Sequence, residues 1–259
     1  MHDTNLLFNQ NHQIMKPFIK PTLTIFLFFF FSNGYTQFWK TKRVVGNGNL
    51  TTETKTTSDY DQLKSVGFMD VELVRGTEGK IVVETDENIH ELVKINVKNN
   101  TLILDTNNVN LKTKKGIHIK VPFEELSSIT LVGSGDIYST HPLGTSKFET
   151  TLIGSGDIDL KVNSSEINAN ITGSGDMALT GSTDILHVNI KGSEDFKGED
   201  LQSNRTNVSC MGSGDAVVVA ENNLIAKVHG SGDIKYKGEP NQKEIRVFGS
   251  SNITNASKQ

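Results

Sequence analysis

The sequence predicts an all-β protein, a parallel β-solenoid (β-helix-like) of about seven 18–21-residue coils preceded by an irregular β-rich segment. Three observations predict it. A Gly-Ser-Gly-Asp unit recurs at near-constant spacing, the columns beside it alternate apolar and polar, and the rest of the chain from residue 60 shows alternating runs without a helical period.

The elements follow in chain order. Residues 1–14 read as an extension upstream of the true start, because Met15 stands directly before the basic residues Lys16 and Lys20. Residues 15–36 read as a signal peptide. The apolar run Leu23-Thr24-Ile25-Phe26-Leu27-Phe28-Phe29-Phe30-Phe31 suits a signal core and is much shorter than the roughly 18 residues a membrane span needs. Gly34 and Thr36 then supply the small residues of a cleavage site before Gln37. No integral membrane segment is therefore expected in the mature chain. Residues 37–59 are polar and lack periodicity, and read as a mobile lead-in.

Residues 60–126 form the β-rich N-terminal part. Met69-Asp70-Val71-Glu72-Leu73, Lys80-Ile81-Val82-Val83-Glu84, Lys94-Ile95-Asn96-Val97, Thr101-Leu102-Ile103-Leu104 and Ile117-His118-Ile119-Lys120-Val121 are strand-like runs. Asn99-Asn100 suits a hairpin turn, since Asn tolerates positive φ. Glu87 to Val93 fits one short helical turn.

Residues 127–254 are the solenoid, and 255–259 a tail. The unit begins at Gly133, Gly154, Gly173, Gly212 and Gly230, with degenerate copies Gly192-Ser193-Glu194-Asp195 and Gly249-Ser250-Ser251-Asn252. Successive starts lie 21, 19, 19, 20, 18 and 19 residues apart. Two residues before each first Gly stand Leu131, Leu152, Ile171, Ile190, Cys210, Val228 and Val247, all apolar. Three before stand Thr130, Thr151, Asn170, Asn189, Ser209, Lys227 and Arg246, all polar. After the Asp or Asn come Ile137, Ile158, Met177, Phe196, Ala216, Ile234 and Ile253. Side chains alternate along a strand, so the first and third columns face inward and the second faces water. Cys210 thus belongs to the core. Glycine suits a tight corner, and the following Asp can bond backbone N–H groups there. Gly67-Phe68-Met69-Asp70-Val71 echoes the unit faintly.

Tandem Gly-Ser-Gly-Asp-Ile units, following Val66-Gly67-Phe68-Met69-Asp70-Val71-Glu72-Leu73 and Val82-Val83-Glu84-Thr85-Asp86-Glu87-Asn88, resemble the head GIN domain family of autotransporter-adhesin-like proteins, common in Bacteroidetes-type bacteria. The resemblance runs from about Tyr60 to Thr254. It implies a β-solenoid-like fold and a cell-envelope location, and it implies no catalytic residues.

Composition narrows the function. A net charge of −4 provides no basic footprint for nucleic acid, and one cysteine forms no intramolecular disulfide. The scattered His90, His118, His141, His187 and His229 lack metalloprotease spacing, and Gly-Ser-Gly-Asp is not a nucleophile elbow. The column Asp136, Asp157, Asp176, Asp195, Asp215 and Asp233 reads first as a structural corner. A calcium ladder is the competing reading, since calcium takes several oxygen ligands. The adjacent Ser column presents either a solvated surface or a polar face for glycan hydroxyls. No cofactor is expected. The chain is read as an exported, non-catalytic binding or adhesion module of the periplasm, outer-membrane surface or extracellular space, with polysaccharide or another surface polymer as partner. A self-associating scaffold joined through the solenoid ends is the alternative. A polysaccharide-active enzyme stands third, because the even repeat spacing leaves no long loops for a catalytic site.

Overall fold

The computed structural model describes residues 43–106 and 109–258. The expected upstream extension, the signal peptide and the first part of the lead-in lie outside the described residues. Among the described residues no helix is long and apolar enough to cross a membrane.

The N-terminal half supplies β1 (Val44–Val45), β2 (Leu50–Thr56), β3 (Gln62–Gly67), β4 (Asp70–Arg75), β5 (Lys80–Asp86), β6 (Lys94–Lys98), β7 (Thr101–Asp105), β8 (Leu111–Lys112) and β9 (Ile117–Phe123). The repeat supplies β10 (Ser128–Gly133), β11 (Ile137–Leu143), β12 (Lys147–Gly154), β13 (Ile158–Gly173), β14 (Met177–Gly192) and β15 (Phe196–Gly212). It continues through β16 (Ala216–Val219), β17 (Asn223–Gly230), β18 (Ile234–Lys237), β19 (Gln242–Gly249) and β20 (Ile253–Asn255).

Each repeat coil contributes one strand before the Gly-Ser-Gly-Asp corner and one after it, so the solenoid has two parallel sheets. The first sheet stacks Leu131, Leu152, Ile171, Ile190, Cys210, Val228 and Val247 in register. The second stacks Ile137, Ile158, Met177, Phe196, Ala216, Ile234 and Ile253. Every member below the last coil is buried. Along β13 the buried positions are even-numbered through Ser164 and odd-numbered from Ile167. That change of parity marks the second corner, where one strand passes from sheet to sheet.

The faint echo at Gly67 is a true coil. β3 pairs with β10 with Gly67 opposite Gly133, and β4 pairs with β11 with Val71 opposite Ile137. β7 and β9 form a further rung on β3 and β4, so both halves make one continuous stack. Antiparallel strands close this end: β6 lies on β7, β5 on β9, and β2 on β5. Asn99 and Asn100 make the β6–β7 hairpin at φ 50° and 59°, and Glu87–Leu92 is a 3₁₀ turn, both where the sequence places them.

One expectation needs correction. Residues 50–56 of the supposed mobile lead-in are a seven-residue strand paired along its whole length with β5. Its segment Leu50-Thr51-Thr52-Glu53-Thr54-Lys55-Thr56 is exposed or half-exposed throughout. Edge strands of this kind carry no hydrophobic alternation, and only the β-branched threonines betray them. At the far end, residues 256–258 of the tail form a 3₁₀ turn, and Ser257 Oγ accepts a hydrogen bond from Gly238 N at 2.9 Å.

Candidate functional site

Two corners run the length of the stack, and they differ in chemistry. The Gly-Ser-Gly-Asp corner is built by close backbone approach. The first glycines have φ between 123° and 140°, a region in which side chains are strained. The second glycines have ordinary φ and a different reason to be glycine. A Cβ on Gly156 would lie 1.9 Å from the Gly135 carbonyl oxygen of the coil below. Conformation and stacking distance together exclude a side chain at the first glycine, whereas at the second stacking distance acts alone.

The Asp column does not bond its own corner, as the sequence suggests. Each carboxylate reaches across to the next coil. Asp157 N donates to Asp136 Oδ1 at 2.9 Å, Asp176 N to Asp157 Oδ1 at 2.8 Å, and Asp195 N to Asp176 Oδ1 at 3.1 Å. Asp215 N donates to Asp195 Oδ1 at 2.8 Å, Asp233 N to Asp215 Oδ1 at 2.7 Å, and Asn252 N to Asp233 Oδ1 at 2.7 Å. The ladder begins at Asp70, whose Oδ1 accepts from Asp136 N at 3.3 Å. One oxygen of each Asp from Asp136 to Asp233 is thereby committed to the stack. Among the described residues no group of three or more His, Cys, Asp or Glu side chains is placed to hold a metal ion.

Like charges placed one rung apart need such bonds. Burial disfavours the Asp176 carboxylate, but hydrogen bonds from Lys197 Nζ at 2.6 Å and Asp195 N outweigh it and hold its carboxyl below the usual range. A depressed folded-state value means stability that is full above about pH 4 and lost as pH falls further. The K197M variant should therefore be less stable by about 0.2–1 kcal/mol at neutral pH, because the pair is partly exposed. Urea unfolding at falling pH should show the difference closing below about pH 4. Inside the corner, Cys210 is buried and its thiol is pushed up to about 12 by burial, with Asp215 and Asp195 adding to the effect. It is a core residue.

Clefts also run along the opposite corner. Thr183 Oγ1 donates to Ile185 O at 3.0 Å, Ser203 Oγ to Arg205 O at 3.2 Å, and Thr145 Oγ1 to Lys147 O at 2.7 Å. These local bonds help turn the chain, and Gly181 beside Thr183 takes a positive φ of 115° at the same corner. Outside them lies a shallow cleft of about 640 Å³, lined by Ser146, Asn163, Ser165, Ser182 and Asp184 among others. Farther along, Asn222 Nδ2 donates to Asn204 Oδ1 at 2.5 Å and Asn241 Nδ2 to Asn222 Oδ1 at 3.4 Å, making an amide ladder beside a cleft of about 320 Å³. A neighbouring cleft of about 280 Å³ sits on the outer sheet face. Its aliphatic walls are Ile185 and Ile225, with His187, Arg205 and Asn207 between them.

The residues of this ledge are placed by the stacking register: Ile185, Arg205, Asn223 and Gln242 form one column, and His187, Asn207 and Ile225 the next. Amides both donate and accept, a guanidinium donates in a plane, and rungs repeat about every 4.8 Å. Such a surface can follow an extended, hydroxyl-bearing chain from rung to rung. The sequence reading pointed to the Gly-Ser-Gly-Asp corner and missed this one. The hydroxyl column Thr145, Ser164, Thr183 and Ser203, nine residues before each first glycine, was the available signal.

No curated protein matches the chain. Several solved structures share the fold. A "putative adhesin" from Bacteroides fragilis NCTC 9343 is 24% identical with a TM-score of 0.75, over 82% of this chain and 99% of that one. A "putative lipid binding protein" from Parabacteroides distasonis ATCC 8503 is 28% identical with a TM-score of 0.71, over 83% and 100%. A "putative adhesin" from Parabacteroides merdae ATCC 43184 is 21% identical with a TM-score of 0.66, over 83% and 99%. The family described as "Putative auto-transporter adhesin, head GIN domain" matches residues 59–240. With its corner repeat and stacked coils accounted for, the chain belongs to the head GIN domain family.

Proposed function

We propose that the protein is an exported, non-catalytic adhesion module of the cell envelope, and that its second corner and the adjoining sheet face bind a polysaccharide or another extended surface polymer. The observation that carries this reading is the continuous ledge of hydroxyls, amides and one guanidinium, in register over successive coils. Membership of an adhesin-named family supports the adhesive role, and the apolar run at Leu23–Phe31 supports export. Arg205 and Asn222 lie on the surface, so their replacement should leave the stack intact. The R205A/N222A variant is expected to bind envelope polysaccharide at least about tenfold more weakly, the loss of one to two polar contacts. Binding to a glycan array and to isolated envelope polymer measures this. Absence of binding by the wild type, or equal binding by the variant, would overturn the reading. Lipid vesicles form a second arm, in view of the name carried by the Parabacteroides distasonis structure.

Self-association is the second reading, and the end strand β19 favours it. All eight of its residues are exposed, Ile245 and Val247 included.

A further inference from the structure

The two ends of the solenoid are finished differently. At the first, β6, β5 and β2 run antiparallel over the stack. At the other, β19 pairs with β17 and, among the described residues, has no strand on its second edge. Ile245 and Val247 continue the inward columns above Ala226 and Val228, yet they are 44% and 42% exposed where those beneath are fully buried. A strand edge with unpaired N–H and C=O groups and a bare aliphatic inner face is a template for another strand.

The charges on β19 say which strand fits. Its outward side chains are Gln242, Glu244, Arg246 and Phe248, and its inward positions are Lys243, Ile245 and Val247. Antiparallel pairing with a second β19 keeps inward over inward only in alternate registers. With Ile245 opposite Ile245, Glu244 of each copy faces Arg246 of the other, so each carboxylate, which already meets Arg246 of its own strand at 2.9 Å, gains a second guanidinium. With Arg246 opposite Arg246, like charges collide. Lys243 falls opposite Val247 near the end of the paired segment, where its ammonium reaches water over an apolar stem. We infer that β19 docks a second copy of this chain, antiparallel, about a two-fold axis at Ile245. This rests on the self-association reading and is independent of polymer binding.

Analytical ultracentrifugation of the purified protein over a wide concentration range tests it, with charge and cross-linking variants. A concentration-dependent dimer is expected. E244K should weaken it about tenfold or more, and the double exchange E244R/R246E should restore it, because the exchanged charges still face each other in this register alone. In I245C the two replaced side chains lie directly opposite, with Cβ atoms about 4.5–5.5 Å apart, so a short bifunctional thiol reagent should yield a covalent dimer. The native thiol, Cys210, is buried and should not interfere. A protein monomeric at every concentration overturns both the inference and the self-association reading. A dimer untouched by E244K, or without cross-linking in I245C, leaves self-association standing and overturns its placement on β19.

Discussion

Replacing Gly173 by alanine should cost about 3 kcal/mol or more and disrupt the middle of the stack. Two costs coincide at this residue. Its φ is 137°, which side chains rarely adopt, and a Cβ would lie 2.1 Å from the Gly154 carbonyl oxygen. The obstacle is backbone, so no side-chain rotation relieves it. That same oxygen accepts Ser174 N at 2.8 Å, and any shift that makes room for the methyl stretches this rung bond. The neighbouring exposed Ser174 is the control, since its replacement by alanine should change stability by less than about 0.5 kcal/mol. G175A separates the two causes. Gly175 has ordinary φ, but a Cβ there would meet the Gly156 carbonyl oxygen at 1.9 Å, so stacking distance alone should destabilise it. Urea denaturation of the three variants measures the series.

Replacing Glu194 by glycine should stabilise the protein. Glu194 occupies the second-glycine position of the fourth unit, is fully buried, and has no hydrogen-bond partner on either carboxylate oxygen. A buried polar group without a partner costs about 1–3 kcal/mol, and more for one that carries charge. Glycine at this position costs about 0.5–1 kcal/mol in chain entropy and fits the space that Gly175 and Gly214 fill in the coils on either side. The net expectation is a gain of about 1 kcal/mol or more, read as a higher urea midpoint at unchanged slope. A lower midpoint would show that the Glu194 side chain supports the corner.

The repeat made much of the fold legible. Register in a stacked sheet is set by alternation, and a one-residue slip would turn Leu152, Ile171 and Ile190 out to water. The inward and outward columns could therefore be assigned before the pairing was known. Three features were faint or hidden, for separate reasons. β2 is an exposed edge strand without an apolar face. The β7–β9 rung is interrupted by residues 106–116 and has lost the glycine corner. Gly67-Phe68-Met69-Asp70 was dim because Met69 replaces the second glycine, and it sits fully buried at the base of the corner. In the candidate site, the Asp column was visible but its partner was not, since a bond to the next coil appears only once the coils are stacked. The second corner was obscured because its positions alternate among Ser, Thr, Asn and Asp, which perform the same turn chemistry without a fixed motif.

The direct test of the stack is a methyl–methyl nuclear Overhauser spectrum of the folded protein. In-register coils about 4.8 Å apart predict cross-peaks from Leu152 to Ile171 and from Ile171 to Ile190, with the Leu152 to Ile190 peak much weaker. Methyl groups of these three residues that share no cross-peaks and see different neighbours would contradict the solenoid and everything built on it.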